Sequence, residues 1–259
     1  MRENLNKSQI ERFSRQLVLK NIGAKGQKKI LSSKILIVGV GGLGCPAAEN
    51  LVRAGIGTIG LVDNDIINLS NIHRQSLFTS KDIKKSKVSV AAKKLREINP
   101  STKIKTYKSR LNKNNIKNII KDYEIIIDGS DNFKTKFLIN DFCVKFKKKL
   151  VTGAISKFDG HVFTFDFNDK KTASLKSFYQ ENEISDNELN CEFEGVLGTT
   201  ASIVGTTQAN EALKMIMKIG QTLKNQILII DLLNLNFRKV KFNRILKSWT
   251  VSNINFIFF

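Results

Sequence analysis

Three glycines at a fixed spacing, Gly39-x-Gly41-x-x-Gly44, are the first residues in this chain whose types and positions imply chemistry. With this spacing the first glycine makes a tight turn, the second lets backbone approach a phosphate, and the third lets a helix pack close to a strand. A helix starting there offers N–H groups and a positive dipole end to an anion. Asp63 follows 24 residues after Gly39, at a distance that suits a hydrogen bond to a ribose hydroxyl. The polar run after it offers Asp65, Asn71, Arg74 and Gln75 to whatever sits on the glycines. Lys87 opens a helical pattern, where a cation opposes the helix dipole unless an anion lies nearby; a solvated lysine is the plain alternative. Asp131, in Gly129-Ser-Asp-Asn132, suits either a magnesium ligand or the cap of the helix that follows, and the residues alone leave both open.

The elements that must position these residues read as an alternation of strands and helices. The run Ile35 to Val38 is a buried strand feeding the glycine turn, and Ala47 to Ala54 a helix closed by Gly55, with Pro46 suited to its first turn. Thr58 to Val62 is a second buried strand ending in Asp63. Val88, Ala91, Ala92, Leu95 and Ile98 mark a helix ended by Asn99-Pro100. Lys103 to Tyr107 and Glu124 to Asp128 are strands, separated by a short helix over Asn114 to Lys121. Lys149 to Ile155 and the alternating Gly160 to Phe167 follow. Residues 168–190 form a long polar loop, with Cys191 at its end. A long apolar helix spans Thr200 to Ile219, capped by Gly220, and Ile227 to Asp231 and Phe237 to Phe242 close the chain. At the other end, Ser8 to Leu19 reads as one amphipathic helix with Ile10, Phe13 and Leu17 in a stripe. Arg12 and Arg15 lie on its neighbouring face, and Gly23-Ala-Lys-Gly26 breaks it. The fold class is therefore α/β: a Rossmann-like, doubly wound, mostly parallel sheet extended by C-terminal antiparallel strands. The chain reads as one domain over 1–259, with a nucleotide-binding half at about 30–155 and a second part at about 156–259.

Composition sets outer limits. The chain has 259 residues, 41% hydrophobic and 25% charged, as in a soluble globular protein. It carries no apolar run of ~18 residues, so no membrane span is expected. Three isolated cysteines suit a reducing, cytoplasmic setting and give no disulfide framework. The net charge of +20 comes from lysines spread over every segment. That distribution fits a solvated surface better than a nucleic-acid site, while still favouring an acidic protein partner.

Together, Arg12-Phe-Ser-Arg-Gln16, Gly39-Val-Gly-Gly-Leu-Gly44, Asp63-Asn-Asp65, Leu69-Ser-Asn-Ile-His-Arg-Gln75, Lys87, Ile98-Asn-Pro100, Asp128-Gly-Ser-Asp-Asn132 and Gly195-Val-Leu-Gly198 resemble the ThiF/MoeB/HesA proteins, bacterial relatives of ubiquitin-activating enzymes. The resemblance covers about residues 8 to 245. It implies ATP-dependent adenylation of the C-terminal Gly-Gly of a ubiquitin-like sulfur carrier of the ThiS or MoaD type, in thiamine or molybdopterin sulfur transfer. By the same resemblance, Gly39, Gly41, Gly42 and Gly44 take the nucleotide with Asp63, Asp65, Ser70, Asn71, Gln75 and Asn132. Arg74 and Lys87 hold phosphates, Asp131 holds Mg2+, and Arg15 reaches the γ-phosphate of the partner subunit in a homodimer. The match at Leu77-Phe-Thr-Ser80 and Asp82 leans towards the thiamine carrier.

The chain departs from the family pattern in one respect and leaves a second point open. The family commonly binds zinc through two CxxC pairs, and this sequence has no CxxC; zinc is not expected, and the apolar 254–259 tail is a candidate to fill its place. Cys191 aligns with a family cysteine that can link covalently to the carrier, and an inert loop thiol is an equal reading. The glycines and Asp63 alone would also allow an NAD-linked dehydrogenase. A non-catalytic carrier scaffold, a peptide adenylase and a tRNA-base dehydratase are compatible with the same residues.

Overall fold

A computed structural model describes residues 5–179 and 195–242. Its centre is one eight-stranded sheet in the order β3-β2-β1-β4-β5-β6-β7-β8. The first five strands in chain order are β1 (Lys34–Val38), β2 (Thr58–Val62), β3 (Lys103–Tyr107), β4 (Ile125–Asp128) and β5 (Lys149–Ser156). They pair in parallel, which requires a crossover between each pair of neighbours. β6 (Asp159–Asp166), β7 (Gln226–Asp231) and β8 (Asn236–Lys241) extend the sheet antiparallel. The strand order reverses direction between β1 and β4, and such a switch point opens a crevice at the carboxyl ends of the strands.

Alternation along β1 sorts the core. Ile35 and Ile37 face α4 (Gly44–Ala54), α5 (Lys87–Ile98) and a C-terminal helix over Gly198–Met217. Leu36 and Val38 face the other layer, α6 (Ile116–Ile120) and α7 (Phe133–Lys145), together with an aromatic group that includes Phe163, Phe165 and Phe178. A sheet covered on both faces explains why β1, β2 and β4 are continuous apolar runs. The helix over Gly198–Met217 is α8; it packs on α4 and on β5 and β6.

The N-terminal segment differs from the expectation of one helix. Two short helices, α1 (Lys7–Arg12) and α2 (Ser14–Leu17), replace it. The break falls at Phe13, which turns inward against Gly55, the left-handed cap of α4, and is 2% exposed, while Ile10 faces solvent. Gly23-Ala-Lys-Gly26 does not break a helix but begins one, α3 (Gly23–Ser32). A side chain on Gly26 would press on Ile22 and on Met217 at the end of α8, so close packing is what that glycine supplies. Asn114 to Lys121 shrinks to α6. The C-terminal cap of α8 is Lys218, in the left-handed region at φ 60°, rather than Gly220. Within residues 168–179 the chain is not plain loop, because Leu175–Ser177 forms a 3-10 turn docked on Asn140 of α7.

Candidate functional site

The crevice is lined by three strand tips and the start of α8. At the tip of β1, Gly39 holds φ +86°, and a β-carbon there would lie 2.7 Å from the carbonyl oxygen of Gly129 at the tip of β4. A β-carbon on Gly44 would collide with the carbonyl of Gly39, so the turn closes only with glycine at both ends. Between them Gly41 faces open space except for the Gln75 amide 3.7 Å away. Among the described residues no hydrogen bond engages the N–H of Gly41 or Gly42, and no side chain caps α4. A helix start with unengaged amides is built to receive an anion.

Asp63, at the tip of β2, folds onto this turn. Its Oδ2 accepts from Val40 N at 2.7 Å and its Oδ1 from Asp65 N at 2.8 Å. Burial pushes its carboxyl above the usual range, and Lys87 together with the two N–H donors opposes that push. Asp65 turns to Lys87, whose Nζ lies 2.9 Å from Asp65 Oδ2. Lys87 is buried and Asp65 exposed, so the anion that the sequence implied for Lys87 is supplied within the chain.

Residues Leu69–Asn71 form a 3-10 turn that carries Ser70 and Asn71 and leads into Arg74 and Gln75. Asn71 Oδ1 accepts from Asn68 N at 3.1 Å, and the Asn71 carbonyl receives the N–H groups of Arg74 and Gln75. Ser70 is exposed, and its carbonyl anchors Arg74 Nη1 at 2.8 Å. The same Nη1 lies 2.8 Å from His73 Nε2. Arg74 is thus aimed by local bonds through Nη1, and no bond within the described residues engages its Nε or Nη2. Gly42 lies against Arg74 and against Ala201 of α8, and Gly198 seats the start of α8 on the carbonyl of His73. That contact is how the Gly195-to-Gly198 segment joins the site. Gln75 is 3% exposed, and its Oε1 has no hydrogen-bond partner within the described residues.

The tip of β4 removes one of the two alternatives for Asp131, the helix cap. Asn132, not Asp131, caps α7, its Oδ1 accepting from Thr135 N at 2.9 Å. Asp131 is exposed and touches only the Asn132 amide, at 3.1 Å, among the bonds within the described residues. No group of three or more His, Cys, Asp or Glu side chains placed to hold a metal occurs among the described residues. An exposed carboxylate at the mouth of the crevice is compatible with magnesium, which is held by one or two carboxylates with phosphate oxygens and water rather than by an all-protein cage.

Arg15 is not brought to this site within one chain. It lies exposed on α2, which docks at the far end of α4 through Phe13 on Gly55 and a Gln16 bond to the Ala54 carbonyl. The length of α4 is roughly 16 Å, at ~1.5 Å per residue, so that separation stands between α2 and the glycine turn. Arg12 instead caps the end of α5 through the Ile98 carbonyl at 3.0 Å. Leu77 and Phe78 are core residues, and Asp82 caps its own turn from Thr79 and pairs with Lys94 at 2.6 Å, which holds its carboxyl down at about 2. These residues serve packing and a local turn, and their contacts leave the choice between a thiamine-type and a molybdopterin-type carrier open. Of the two places where the family's CxxC pairs would fall, Lys171 to Leu175 and Leu246 to Val251, the first is held by Asp166 and Asn225 and buries Ala173 and Leu175. The other, together with Cys191 and the 254–259 tail, lies outside the described residues.

Sequence reasoning placed Asp128 at a strand end but missed Lys136 and Thr152, with which it forms a buried polar group under the β4 tip. Nothing local marks Lys136: in Phe133-Lys-Thr-Lys136 it looks like any surface lysine.

The strand order, the switch-point crevice and the unengaged glycine turn define a nucleotide-binding α/β protein of the Rossmann type. The chain belongs to the ThiF family, whose model matches residues 13–248. It is 36% identical over 241 residues to the "Sulfur carrier protein adenylyltransferase" of Thermus thermophilus, covering 92% of this chain and 89% of that one. It is 42% identical over 231 residues to the "Probable molybdopterin-synthase adenylyltransferase" of Porphyra purpurea; the match covers 89% of this chain but only 60% of that relative's length. In architecture it resembles the crystal structure of PaaA, with a TM-score of 0.79 at 20% identity over 95% of this chain and 77% of that one, a likeness of fold alone. No helix among the described residues is long and apolar enough to cross a membrane.

Proposed function

We propose that this chain activates the C-terminal glycine of a ubiquitin-like sulfur carrier by adenylation. The observation that carries the reading is the placement of Arg74 and Lys87 near a glycine turn whose Gly41 and Gly42 amides have no partner among the described residues. The relative from Thermus thermophilus, matched over nearly its whole length, supports the choice of substrate by its name. ATP fits the residues present. Gly41 leaves room for a phosphate, Asp63 stands where a ribose hydroxyl would donate, and Gln75 Oε1 is a buried acceptor still lacking a donor.

The carrier's terminal carboxylate is the nucleophile, so the chain needs none. One of its oxygens forms a bond to the α-phosphorus while the bond to the bridging oxygen breaks, leaving acyl-adenylate and pyrophosphate. Arg74 meets the charge that moves onto the phosphate oxygens, and fixed donors of this kind stabilise it without reorganising. Lys87 shares its charge between Asp65 and the phosphates; because Asp65 is solvated, releasing it costs little. Asp131 would hold magnesium, which supplies charge neutralisation to the phosphates. Arg15, stranded at the far end of α4, completes a site only if a second copy of the chain presents it, which makes the active form a C2 homodimer. The reaction is cytoplasmic, in keeping with the free, buried thiols of Cys45 and Cys143; burial pushes the Cys45 thiol up to about 12, so it is inert as a nucleophile.

The test is exchange of labelled pyrophosphate into ATP. Exchange that requires a carrier ending in Gly-Gly supports the reading, and a thiamine-type and a molybdopterin-type carrier run side by side decide the pathway. No exchange with either, under magnesium and saturating ATP, overturns it.

A further inference from the structure

Beneath the Gly129–Asn132 tip lies an ion pair that the proposed chemistry does not touch. Asp128, the last residue of β4, is 1% exposed, and Lys136, in the first turn of α7, is 4% exposed. Lys136 Nζ lies 3.0 Å from Asp128 Oδ2 and also donates to the Gly153 carbonyl of β5 at 2.6 Å. Thr152 Oγ1 donates to the same Oδ2 at 2.5 Å. The other carboxylate oxygen accepts from Ser130 N at 2.9 Å and Ser130 Oγ at 2.5 Å. On the far side, Gln208 of α8 donates through Nε2 to the Asp128 carbonyl at 2.7 Å. Four donors fill the carboxylate, which is its full capacity.

Bulk stability does not account for this arrangement. Apolar residues of similar volume stabilise a core at least as well as a buried ion pair does, since both ions must be stripped of water. What the pair does that an apolar filling could not is grip Ser130 by two bonds and so fix the direction in which the chain leaves β4. The backbone leaving β4 then does two things. The Gly129 carbonyl occupies the space that a β-carbon on Gly39 would need at the mouth of the glycine turn, and one residue past Ser130 stands Asp131.

We infer that Asp128 and Lys136 are positioning residues, which set the Gly129–Asp131 tip against the glycine turn and thereby place the Asp131 carboxylate where metal and nucleotide meet. The inference rests on the proposed adenylation in one respect, the assignment of Asp131 to the metal. A side chain locked in this way is how a site on a strand tip stays rigid without a loop of its own.

Three variants of the full chain test it: Thr152→Val, which removes one hydroxyl and keeps the shape; Lys136→Met, which removes the cation; and Lys136→Arg, which keeps it. Each is titrated with a non-hydrolysable ATP analogue by calorimetry without metal, and then with Mn2+ by electron paramagnetic resonance in the presence of the analogue. Thermal midpoints are recorded beside both. The expected result for Thr152→Val is unchanged analogue affinity without metal and a half-saturating Mn2+ concentration raised roughly 10-fold, the usual effect of losing an outer-shell partner. Lys136→Met shifts it further, and Lys136→Arg restores most of the loss. Should Lys136→Met fail to fold, Thr152→Val decides alone. A lowered thermal midpoint with unchanged Mn2+ dependence overturns the inference and leaves the pair merely structural. An unaltered protein that binds the analogue with Mn2+, beside variants that match it, sinks the inference alone. An unaltered protein that binds neither sinks the proposed function and the inference with it.

Discussion

The tips of β2 and β4 are the two places where the sheet ends in an aspartate at the crevice, and the two acids find different partners. Asp63 directs its carboxylate at the backbone of the glycine turn, from a half-buried position beside solvated Asp65. Asp128 is swallowed whole and binds a lysine, a threonine and its own tip. In each case the exposed acid of the tip stands further along: Asp65 two residues after Asp63, Asp131 three residues after Asp128. The lesson is that the strand-end acid shapes the turn and a later acid meets solvent. The difference lies in the neighbours. Behind β2 the lysine, Lys87, stays near the surface acid, whereas behind β4 the lysine, Lys136, reaches the buried one.

Breaking the β4 side should cost most. Asp128→Ala leaves Lys136 buried and unpaired, a loss of about 3–5 kcal/mol of folding free energy by the measure of other buried pairs. Denaturant unfolding gives the number, and a loss below ~1 kcal/mol would mean that water or a rearranged lysine compensates. Next in size is Arg74→Ala, which removes an aimed phosphate donor. Pyrophosphate exchange should fall about 10²–10³-fold with unfolding unchanged, because the side chain holds only local bonds. A parallel fall in stability would instead make Arg74 a partner of the glycine turn.

How much of this could be read from residues alone follows the same division. The parallel half was legible because its signals are local: an apolar run, three spaced glycines and an acid each act within a few residues of themselves. The antiparallel extension was legible from the alternation of Gly160 to Phe167. The start of α3 was not, since two glycines in four residues argue against a helix until Met217 is seen pressing on one of them. The break at Phe13 was hidden for a like reason, as the ring's destination, Gly55, is set by tertiary packing. Within the site, Arg74 and Lys87 stand out by motif. Lys136 does not, because a lysine's burial depends on an acid brought up by the fold.

The β2 side should respond more gently, and to pH. Burial raises the Asp63 carboxyl while Lys87 and two N–H donors pull against it. A carboxyl raised in the folded state holds its proton where the unfolded chain has lost its own. Its contribution to stability is therefore full below the unfolded value and is lost as pH rises through the folded one. Asp63→Asn, which does not titrate, should lack that decline when unfolding is followed from acid to neutral pH. Its KM for ATP should rise about 10-fold, the weight of one charge-assisted hydrogen bond. A KM unchanged in the variant would confine Asp63 to shaping the turn, and the two strand-end acids would then be alike after all.

The smallest effect separates neighbours. Asn132→Ala removes the cap of α7 and should cost about 1 kcal/mol of stability. Asp131→Ala should cost next to none, since that carboxylate meets only the Asn132 amide among the bonds within the described residues. Their effects on exchange should run the other way, with Asp131→Ala the more damaging. If instead Asp131→Ala loses the stability and Asn132→Ala the exchange, the cap and the ligand have been assigned to the wrong members of the pair. The tip of β4 would then resemble that of β2, with its outermost acid serving the fold.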